Sequence, residues 1–399
     1  MTTNPAPPST TKTIPPSEAE QDFQVDQVLT ISGGHLIHDM FSGFIPALLP
    51  LIQEQLAINY ALTGSLAVYA RLPSLLNPFL GYIADKVSVR YFVILAPAIT
   101  ATLINCIGFT STYFTLVLLL LAIGVSIAAF HAPAPAMIGH VSGSRVGTGM
   151  SIFMGGGELG RMFGPILAVA GVEWFGLGGM WRLSIIGWLV SAILYYRFRD
   201  IAAQPRSKIS ASFGQLLPQI RRVFLPLGGI LLARSFLLIS LSTFLPIFMS
   251  DVLESSLWLA AASLAILEGG GFVGALLSGT LSDRFGRSQV LLFLFSTAPF
   301  LFFFFLYGPS ILAIPALIAL GLTVISPTPV LLAIVQDQFK ENRALTNGLF
   351  MTINFLTYAL AVSAVGIWAD QFGLFQAFLT SGVIALLAIP IVKTLPKGI

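Results

Sequence analysis

Two ten-residue stretches, GYIADKVSVR at 81–90 and GTLSDRFGRS at 279–288, decide how this chain folds. Each stretch follows a long apolar run. In each, an aspartate lies four residues after a glycine, and a lysine or arginine comes directly after the aspartate. The two aspartates, Asp85 and Asp283, are 198 positions apart (283 minus 85), about half of the 399-residue chain. Similar motifs at matching places in two halves predict a duplicated fold.

The composition around this repeat is typical of a protein embedded in lipid. Hydrophobic residues make up 56% of the chain and charged residues only 9%, whereas soluble domains carry about 25% charged residues. With so few polar side chains to cover a surface, most of the chain must face hydrocarbon. Unbroken apolar runs such as LVLLLLAIGVSIAAF at 116–130 lack the alternation of a transmembrane β-strand. We therefore predict a polytopic helical protein whose partner is the lipid bilayer.

Apolar runs of about 20 residues, the length at which a helix crosses a bilayer, occur twelve times. The predicted spans are 27–52, 60–82, 91–110, 113–138, 146–171, 178–197, 224–249, 257–279, 289–307, 310–334, 345–369 and 372–394. The predicted fold class is an all-α membrane protein with twelve transmembrane helices in two pseudo-symmetric six-helix bundles. The predicted divisions are a disordered cytoplasmic tail (1–25), an N-terminal bundle (26–197), a cytoplasmic linker (198–223) and a C-terminal bundle (224–399).

Lysine and arginine residues in the short loops predict the orientation, because they tend to stay on the cytoplasmic side of a membrane. An even number of spans puts both termini on one side. Sixteen of the basic residues outside the spans fall on that side, and only Arg182 falls on the other. We therefore expect both termini in the cytoplasm and the protein in the plasma membrane, as a bacterial inner-membrane protein.

The repeated motif suggests a latch at the cytoplasmic helix ends. Glycine lets helices approach closely, and an aspartate followed by a basic residue can bridge to a neighbouring helix or interact with its dipole. Such a contact could hold one conformation and release in another; the alternative is a simple positive anchor. The predicted latch residues are Gly81, Asp85, Lys86 and Arg90 in the first half, and Gly279, Asp283, Arg284 and Arg287 in the second.

The motif between spans two and three resembles the GxxxD[RK]xG[RK] signature of the major facilitator superfamily. Three further segments resemble its fosmidomycin-resistance branch: HxxxD at 35–39 leading into ALLPL at 47–51, the FH pair at 130–131, and SIF at 151–153 with the glycines that follow. Among those glycines, Gly160, Gly164 and the adjacent Pro165 resemble part of the superfamily's antiporter motif and would let span five pack closely.

This resemblance implies a secondary transporter with a central site between two bundles that rock to give alternating access. The activity it implies is proton-coupled export, by antiport, of a small organic anion or antibiotic-like compound such as a fosmidomycin-type phosphonate. The implied partners are a small-molecule substrate and protons. Two other functions stay open: a proton-coupled importer of the same fold, and a membrane receptor or scaffold that transports nothing.

Ionisable side chains inside the spans are the candidate functional residues, since each costs at least ~2.5 kcal/mol to insert at a helix centre. His35 and Asp39 share a face of span one, and a carboxylate beside a histidine favours uptake of a proton. They could instead tie span one to a neighbour. We assign proton coupling to His35, Asp39, Glu158 and Glu268, and substrate binding to Arg71, His131, Arg161 and Arg234. His131 could instead form hydrogen bonds across helices.

The three intramembrane arginines predict an anionic or zwitterionic substrate, because a guanidinium matches the geometry of carboxylate and phosphonate oxygens. Arg71 and Glu268 occupy comparable places in the two halves and could meet, or alternately pair and release. Glu158 and Arg161, one turn apart, could simply neutralise each other.

Several other kinds of chemistry are not expected. The chain has no GxxxxGK[ST] motif for ATP, and no soluble segment large enough for an enzyme or nucleic-acid-binding domain. The histidines of span one lack an HExxH context, so neither a metal nor another cofactor is predicted.

Overall fold

The computed structural model describes residues 23–76, 90–131, 133–199, 213–339 and 343–395. Those residues are helical almost throughout and contain no strand. The helices of the N-terminal half are Val25–Ser42 and Phe44–Leu56 (span one), Tyr60–Arg71 (span two), Arg90–Asn105 (span three), Tyr113–His131 and Ala134–Val141 (span four), Val146–Phe175 (span five) and Ser184–Phe198 (span six).

The helices of the C-terminal half repeat this order. They are Phe213–Ser242 and Leu245–Asp251 (span seven), Leu257–Phe285 (span eight), Arg287–Tyr307 (span nine), Ala313–Val324 and Pro327–Gln338 (span ten), Arg343–Phe372 (span eleven), and Leu374–Ala385 and Ala388–Val392 (span twelve). Short 3-10 turns at Leu72–Leu76, Ile107–Phe109, Gly143–Arg145, Leu177–Leu183 and Ser310–Leu312 extend or join these helices.

Ten helical segments of the described chain are long and apolar enough to cross a membrane. They coincide with the predicted spans one, three, four, six and seven to twelve. Span two is described only as far as residue 76, and span five carries Glu158 and Arg161 near its middle. The predicted all-α membrane fold of two six-helix bundles is confirmed.

The two bundles have the same internal packing. Span one packs on span five, two on four and three on six, and the same pairs recur as seven on eleven, eight on ten and nine on twelve. Between the bundles, span two contacts span eleven and span five contacts span eight. The duplication visible in the sequence is therefore a duplication of packing.

Glycines of span five allow it to lie directly on span one. A Cβ atom at Gly160 would collide with the carbonyl oxygen of Leu36 and lie 2.9 Å from the backbone nitrogen of Met40. At Gly164, a Cβ would lie 3.1 Å from the Cα of Gly43. Association of membrane helices depends on such close packing, because lipid tails are as apolar as the side chains. Pro165 follows inside the same continuous helix.

Of the predicted latch, the structure describes the second copy and the last residue of the first. Gly81, Asp85 and Lys86 lie outside the described residues, as do most of the predicted tail and about half of the predicted linker. Arg90 begins span three, with its guanidinium 5.1 Å from the ring centroid of Tyr91.

In the second copy, Arg287 is the residue that makes the contacts. Its guanidinium pairs with Asp283 one turn earlier and lies 3.4 Å from a carboxylate oxygen of Asp337 in span ten. Arg284 lies over the ring of the neighbouring Phe285, and a Cβ at Gly279 would meet nothing within 4 Å. Arg287 thus ties spans nine and ten together within the C-terminal bundle.

Two symmetric contacts join the bundles on the side opposite the termini. The carboxylate of Asp370, near the end of span eleven, accepts hydrogen bonds from the backbone N–H groups of Tyr60 (2.7 Å) and Ala61 (3.0 Å). Glu173, near the end of span five, accepts one from the indole of Trp258 (2.9 Å). Tyr60 and Trp258 start spans two and eight and are 198 positions apart, the spacing of the sequence repeat. We call the hydrogen bonds among these five residues, Tyr60, Ala61, Glu173, Trp258 and Asp370, the paired clasp; they hold the two bundles together on this side.

Replacing Asp370 by asparagine is expected to favour opening on the side of the paired clasp. A neutral amide binds the two N–H groups at a helix start less strongly than a carboxylate, and a hydrogen bond to a charged group contributes about 1.5–3 kcal/mol, so we expect roughly a tenfold shift in the equilibrium. Spin labels at Glu54 and Leu253, one in each bundle, should show a longer distance population. The exposed acid Glu254, changed to glutamine, is the control; unchanged distances in the Asp370→Asn variant would contradict the clasp.

Candidate functional site

Ionisable side chains from four spans meet where the two bundles face each other, about halfway along the helices. Asp39 comes from span one, His131 from the first helix of span four, Arg161 from span five and Glu268 from span eight. All but Glu268 belong to the N-terminal bundle. Because span five packs on span eight, the cluster reaches across the bundle interface.

A break in span four places His131 at this site. His131 is the last residue of its helix, and the next helix begins at Ala134 with Pro133 just before it. Proline has no backbone N–H and disfavours a helical conformation in the residue before it, so the sequence HAPAPA interrupts the helix. The imidazole is about one-third exposed, whereas Asp39 is almost completely buried.

Three cationic or titratable side chains surround the carboxylate of Asp39. Its oxygens lie 3.4 Å from Nε2 of His35, 3.3 Å from Nε2 of His131 and 3.2 Å from Nη1 of Arg161. Arg161 donates a hydrogen bond to Oδ2, while Oδ1 is buried without a hydrogen-bond donor among the described residues. An unsatisfied buried acceptor is costly, so a hydrogen bond donated to this oxygen would stabilise the site.

The backbone determines which nitrogens of the two histidines carry hydrogen. Nδ1 of His35 lies 2.8 Å from the carbonyl oxygen of Phe153, and Nδ1 of His131 lies 3.0 Å from that of Ile127. A carbonyl oxygen can only accept a hydrogen bond, so both Nδ1 atoms must donate. Both Nε2 atoms, which are 3.2 Å apart, would then carry lone pairs that repel each other. One added proton between them removes this repulsion, and the nearby carboxylate stabilises its charge.

Arg161 is shared among three carboxylates. Its guanidinium pairs with Glu158 one turn earlier, with Asp39 of span one, and at 3.8 Å with Glu268 of span eight. It therefore connects Asp39 of the N-terminal bundle to an acid of the C-terminal bundle. Within this group, three carboxylates face one guanidinium.

Arg71 is the second cation near the site. Its side chain is exposed, and its guanidinium carbon lies 4.0 Å from the ring centroid of Tyr358 in span eleven. Glu268 is within electrostatic reach of Arg71, but its ion pair is with Arg161. In this conformation Glu268 pairs with Arg161 and Arg71 contacts Tyr358, and each of these contacts joins the two bundles. Alternate pairing and release of Arg71 and Glu268 stays a prediction.

Arg234, the third intramembrane arginine, lies apart from the cluster. It is only 5% exposed and donates hydrogen bonds to the carbonyl oxygens of Val324 and Ile325 and to the hydroxyl of Thr328. These acceptors mark the break between the two helices of span ten. A guanidinium at a helix C-terminus satisfies free carbonyls and interacts favourably with the helix dipole. The hydrogen bonds of Arg234 thus hold the two helices of span ten together.

Sequence reasoning missed two residues of the site. A Cβ at Gly157 would lie 2.6 Å from Nε2 of His35, so the glycine is needed for the imidazole to reach Asp39; its position beside Glu158 was a signal. Tyr358 gave no signal, since it is one aromatic residue in a long apolar helix.

The geometry of His35, Asp39 and His131 also resembles a set of metal ligands, because their side-chain donor atoms all lie within 4.8 Å of one another. However, the guanidinium of Arg161 lies 3.2 Å from the same carboxylate. Like charges at such distances repel strongly in a poorly solvated site. A single proton therefore suits this environment better than a divalent cation, and the absence of a metal stays a prediction.

Comparison with known proteins establishes the family. The sequence model described as "Major Facilitator Superfamily" matches residues 31–360. The chain belongs to the major facilitator superfamily. The fosmidomycin resistance protein of Escherichia coli (strain K12) is 24% identical over 352 residues, which are 86% of each chain. An uncharacterized transporter of the superfamily, YfnC of Bacillus subtilis (strain 168), is 24% identical over 378 residues, 90% of this chain and 89% of that one.

Solved structures show the same fold at low sequence identity. A bacterial homolog of the human lysosomal transporter Spinster, inward-facing and unoccupied, superimposes with a TM-score of 0.75 at 17% identity, over 93% of this chain and 97% of that one. A variant of the nucleoside transporter NupG gives 0.76 at 16% identity, over 93% and 100%. A D-xylose–proton symporter gives 0.73 at 13% identity, over 93% and 97%. These structures support the fold, and membership of the major facilitator superfamily makes the protein a multi-pass membrane protein and a secondary transporter rather than an enzyme.

Proposed function

We propose that this transporter exchanges protons for a small organic anion or antibiotic-like compound, such as a fosmidomycin-type phosphonate, and exports that compound. The proposal places both termini in the cytoplasm and the protein in a bacterial inner membrane. The observation that carries it is the arrangement of His35, His131 and Asp39, which has room for one proton beside Arg161. The distant similarity to the fosmidomycin resistance protein supports the substrate class and the direction.

The burial of the cluster suggests a route for the proton. The imidazole of His131 is 34% exposed, whereas the side chains of His35 and Asp39 are each 3% exposed. Water can reach His131 first, and the proton can pass from there to the buried pair over contacts of 3.2–3.4 Å. His131, assigned from the sequence to substrate binding, therefore takes part in proton transfer in this mechanism.

Proton binding then changes a contact between the bundles. A proton held between the two histidines gives the Asp39 carboxylate a second cation to pair with, which weakens its hold on Arg161. The guanidinium becomes free to bind Glu268 of span eight more closely than the present 3.8 Å. Protonation in one bundle would thus tighten the contact with the other, which couples proton binding to the rocking motion. Glu158 keeps Arg161 oriented in both states.

The paired clasp fits this direction of transport. With both termini in the cytoplasm, the clasp of Asp370 and Glu173 closes the external side. The conformation described is then the one that takes up substrate from the cytoplasm.

Co-transport of proton and substrate is a second candidate, favoured by the charges of the site. Asp39, Glu158 and Glu268 face Arg161 and Arg71, so the site carries one net negative charge that one proton neutralises. An anion bound beside Arg71 would increase the negative charge and strengthen proton binding. Proton and anion would then favour each other's binding, as an importer of the symport type requires.

The direction of proton movement distinguishes the two functions. Purified protein in liposomes that contain a pH-sensitive dye would be given an outward gradient of fosmidomycin at equal internal and external pH. Antiport predicts that protons enter as the phosphonate leaves, and symport predicts that protons leave with it. Liposomes without protein are the control. Efflux of fosmidomycin with no proton movement in either direction would contradict proton coupling altogether.

A further inference from the structure

The three intramembrane arginines differ in how their hydrogen-bond donors are used. The guanidinium of Arg161 is occupied by three carboxylates, and that of Arg234 by two carbonyl oxygens and a hydroxyl. A substrate anion that approached either one would have to displace these acceptors. Neither is therefore available as an anion-binding group in this conformation.

Arg71 has no hydrogen-bond acceptor or ion-pair partner within hydrogen-bonding distance among the described residues. Its contact is with the face of the Tyr358 ring, 4.0 Å away, and its side chain is exposed. An aromatic face attracts the charge of a guanidinium but accepts few of its five N–H groups. Arg71 is therefore held in position while its donors stay available.

The ring under Arg71 is a rigid platform. Tyr358 is only 4% exposed, and its hydroxyl lies 3.1 Å from the hydroxyl of Thr243, beside the break in span seven. Two turns from Arg71, a Cβ at Gly64 would lie 2.9 Å from a methyl group of Val362, so spans two and eleven touch there. The close contact fixes the distance between the guanidinium of one bundle and the ring of the other.

We propose that Arg71, supported by Tyr358, is the anion-binding subsite of this transporter, and that it takes one carboxylate or phosphonate group of a small organic anion. Two oxygens of such a group match the planar fork of a guanidinium. Tyr358 acts as a positioning residue through Arg71. The nearby carboxylate of Glu268 opposes a second negative charge on the ligand, so a singly charged group is preferred. This inference rests on the proposed function for the class of substrate.

Binding measured by calorimetry on the full chain in lipid nanodiscs tests the subsite. The probes are fosmidomycin, methylphosphonate and benzoate as anions, and tetraphenylphosphonium as a cation. Arg71→Gln is expected to weaken anion binding about 10- to 100-fold, the effect of losing one or two hydrogen bonds to a charged group. Arg182→Gln, which removes a guanidinium from the end of the molecule, is the matched control and should bind like the wild type.

Two further variants separate positioning from folding. Tyr358→Phe keeps the ring and should bind anions nearly as well as the wild type, whereas Tyr358→Leu removes the platform and should bind several-fold more weakly. Should Arg71→Gln fail to fold, Arg71→Lys keeps the charge but loses the planar fork, and a several-fold loss is expected. A thermal melting curve for each variant reports folding independently of binding.

Several results would overturn the subsite. The first is that both Arg71 variants bind the anions with the affinity of the wild type. The second is that the wild type binds the cation probe but none of the three anions. The third is that Tyr358→Phe and Tyr358→Leu bind the anions equally well. The liposome assay keeps the proposed function separate. If anion binding depends on Arg71 but no protons move, the proton coupling fails and the subsite stands. If Arg71→Gln keeps proton-coupled transport and binding, the subsite fails and the function stands.

Discussion

Replacing Asp39 by asparagine is expected to reduce uphill, proton-driven transport to the level of liposomes without protein, while downhill exchange of substrate continues. Asparagine keeps the shape of the side chain and can still accept a hydrogen bond from Arg161, but it cannot gain or lose a proton. The carboxylate is buried and contacts both His35 and His131 within 3.4 Å. Losing it removes the charge that stabilises a proton on the imidazole pair.

The measurement compares two modes of transport in the same liposomes. Accumulation of fosmidomycin against its gradient, driven by an imposed pH difference, should be lost, and exchange of labelled for unlabelled fosmidomycin at equal pH should remain. Asp26→Asn is the matched control, because Asp26 lies on the same helix in an exposed ion pair with Arg197, and such pairs contribute little. An Asp39→Asn variant that still accumulates fosmidomycin would show that the proton binds elsewhere.

Replacing Gly160 by alanine is expected to disrupt the assembly of the N-terminal bundle. The added methyl group would collide with the carbonyl oxygen of Leu36 and lie 2.9 Å from the nitrogen of Met40. Both are backbone atoms of span one, so no side chain can turn away, and the helices must separate. Overpacking usually costs about 1–3 kcal/mol, and contact with backbone places this site at the upper end of that range.

Thermal unfolding in detergent measures this effect. The Gly160→Ala variant should melt at a lower temperature and give less monodisperse protein, and its Asp39 and Arg161 side chains should no longer meet. Gly33→Ala is the matched control: Gly33 is also inside a helix of this pair, but a Cβ there would meet nothing within 4 Å. Equal melting temperatures for the two variants would mean that spans one and five are not in the close contact described.

Much of the fold could be predicted from local features of the sequence. Ten predicted spans coincide with helices long enough to cross a membrane, because the length of an apolar run directly reflects the thickness of the bilayer. The duplication was visible as the spacing of Asp85 and Asp283, although the structure describes only the second copy of that motif. The break in span four also has a local cause, the prolines that follow His131 in the sequence.

The partners of the ionisable residues could not be predicted in the same way. Arg71 and Arg234 look alike in the sequence, each a lone arginine in an apolar span, yet one is exposed on an aromatic ring and the other is buried against carbonyl oxygens. His131 was assigned to substrate binding and lies 3.3 Å from Asp39. Glu268 lies within electrostatic reach of Arg71, but its ion pair in this conformation is with Arg161.

The sequence by itself determined that the chain crosses a membrane as two matching sets of helices, and which costly side chains lie inside those helices. Only the tertiary structure decided which of these side chains face one another. The physical reason is that lipid and protein interior are equally apolar, so a membrane helix carries no polar face that shows how it is rotated. The rotation and approach of each helix depend on packing between distant segments, such as Gly160 against Leu36, and that packing brings Asp39, His131 and Arg161 together.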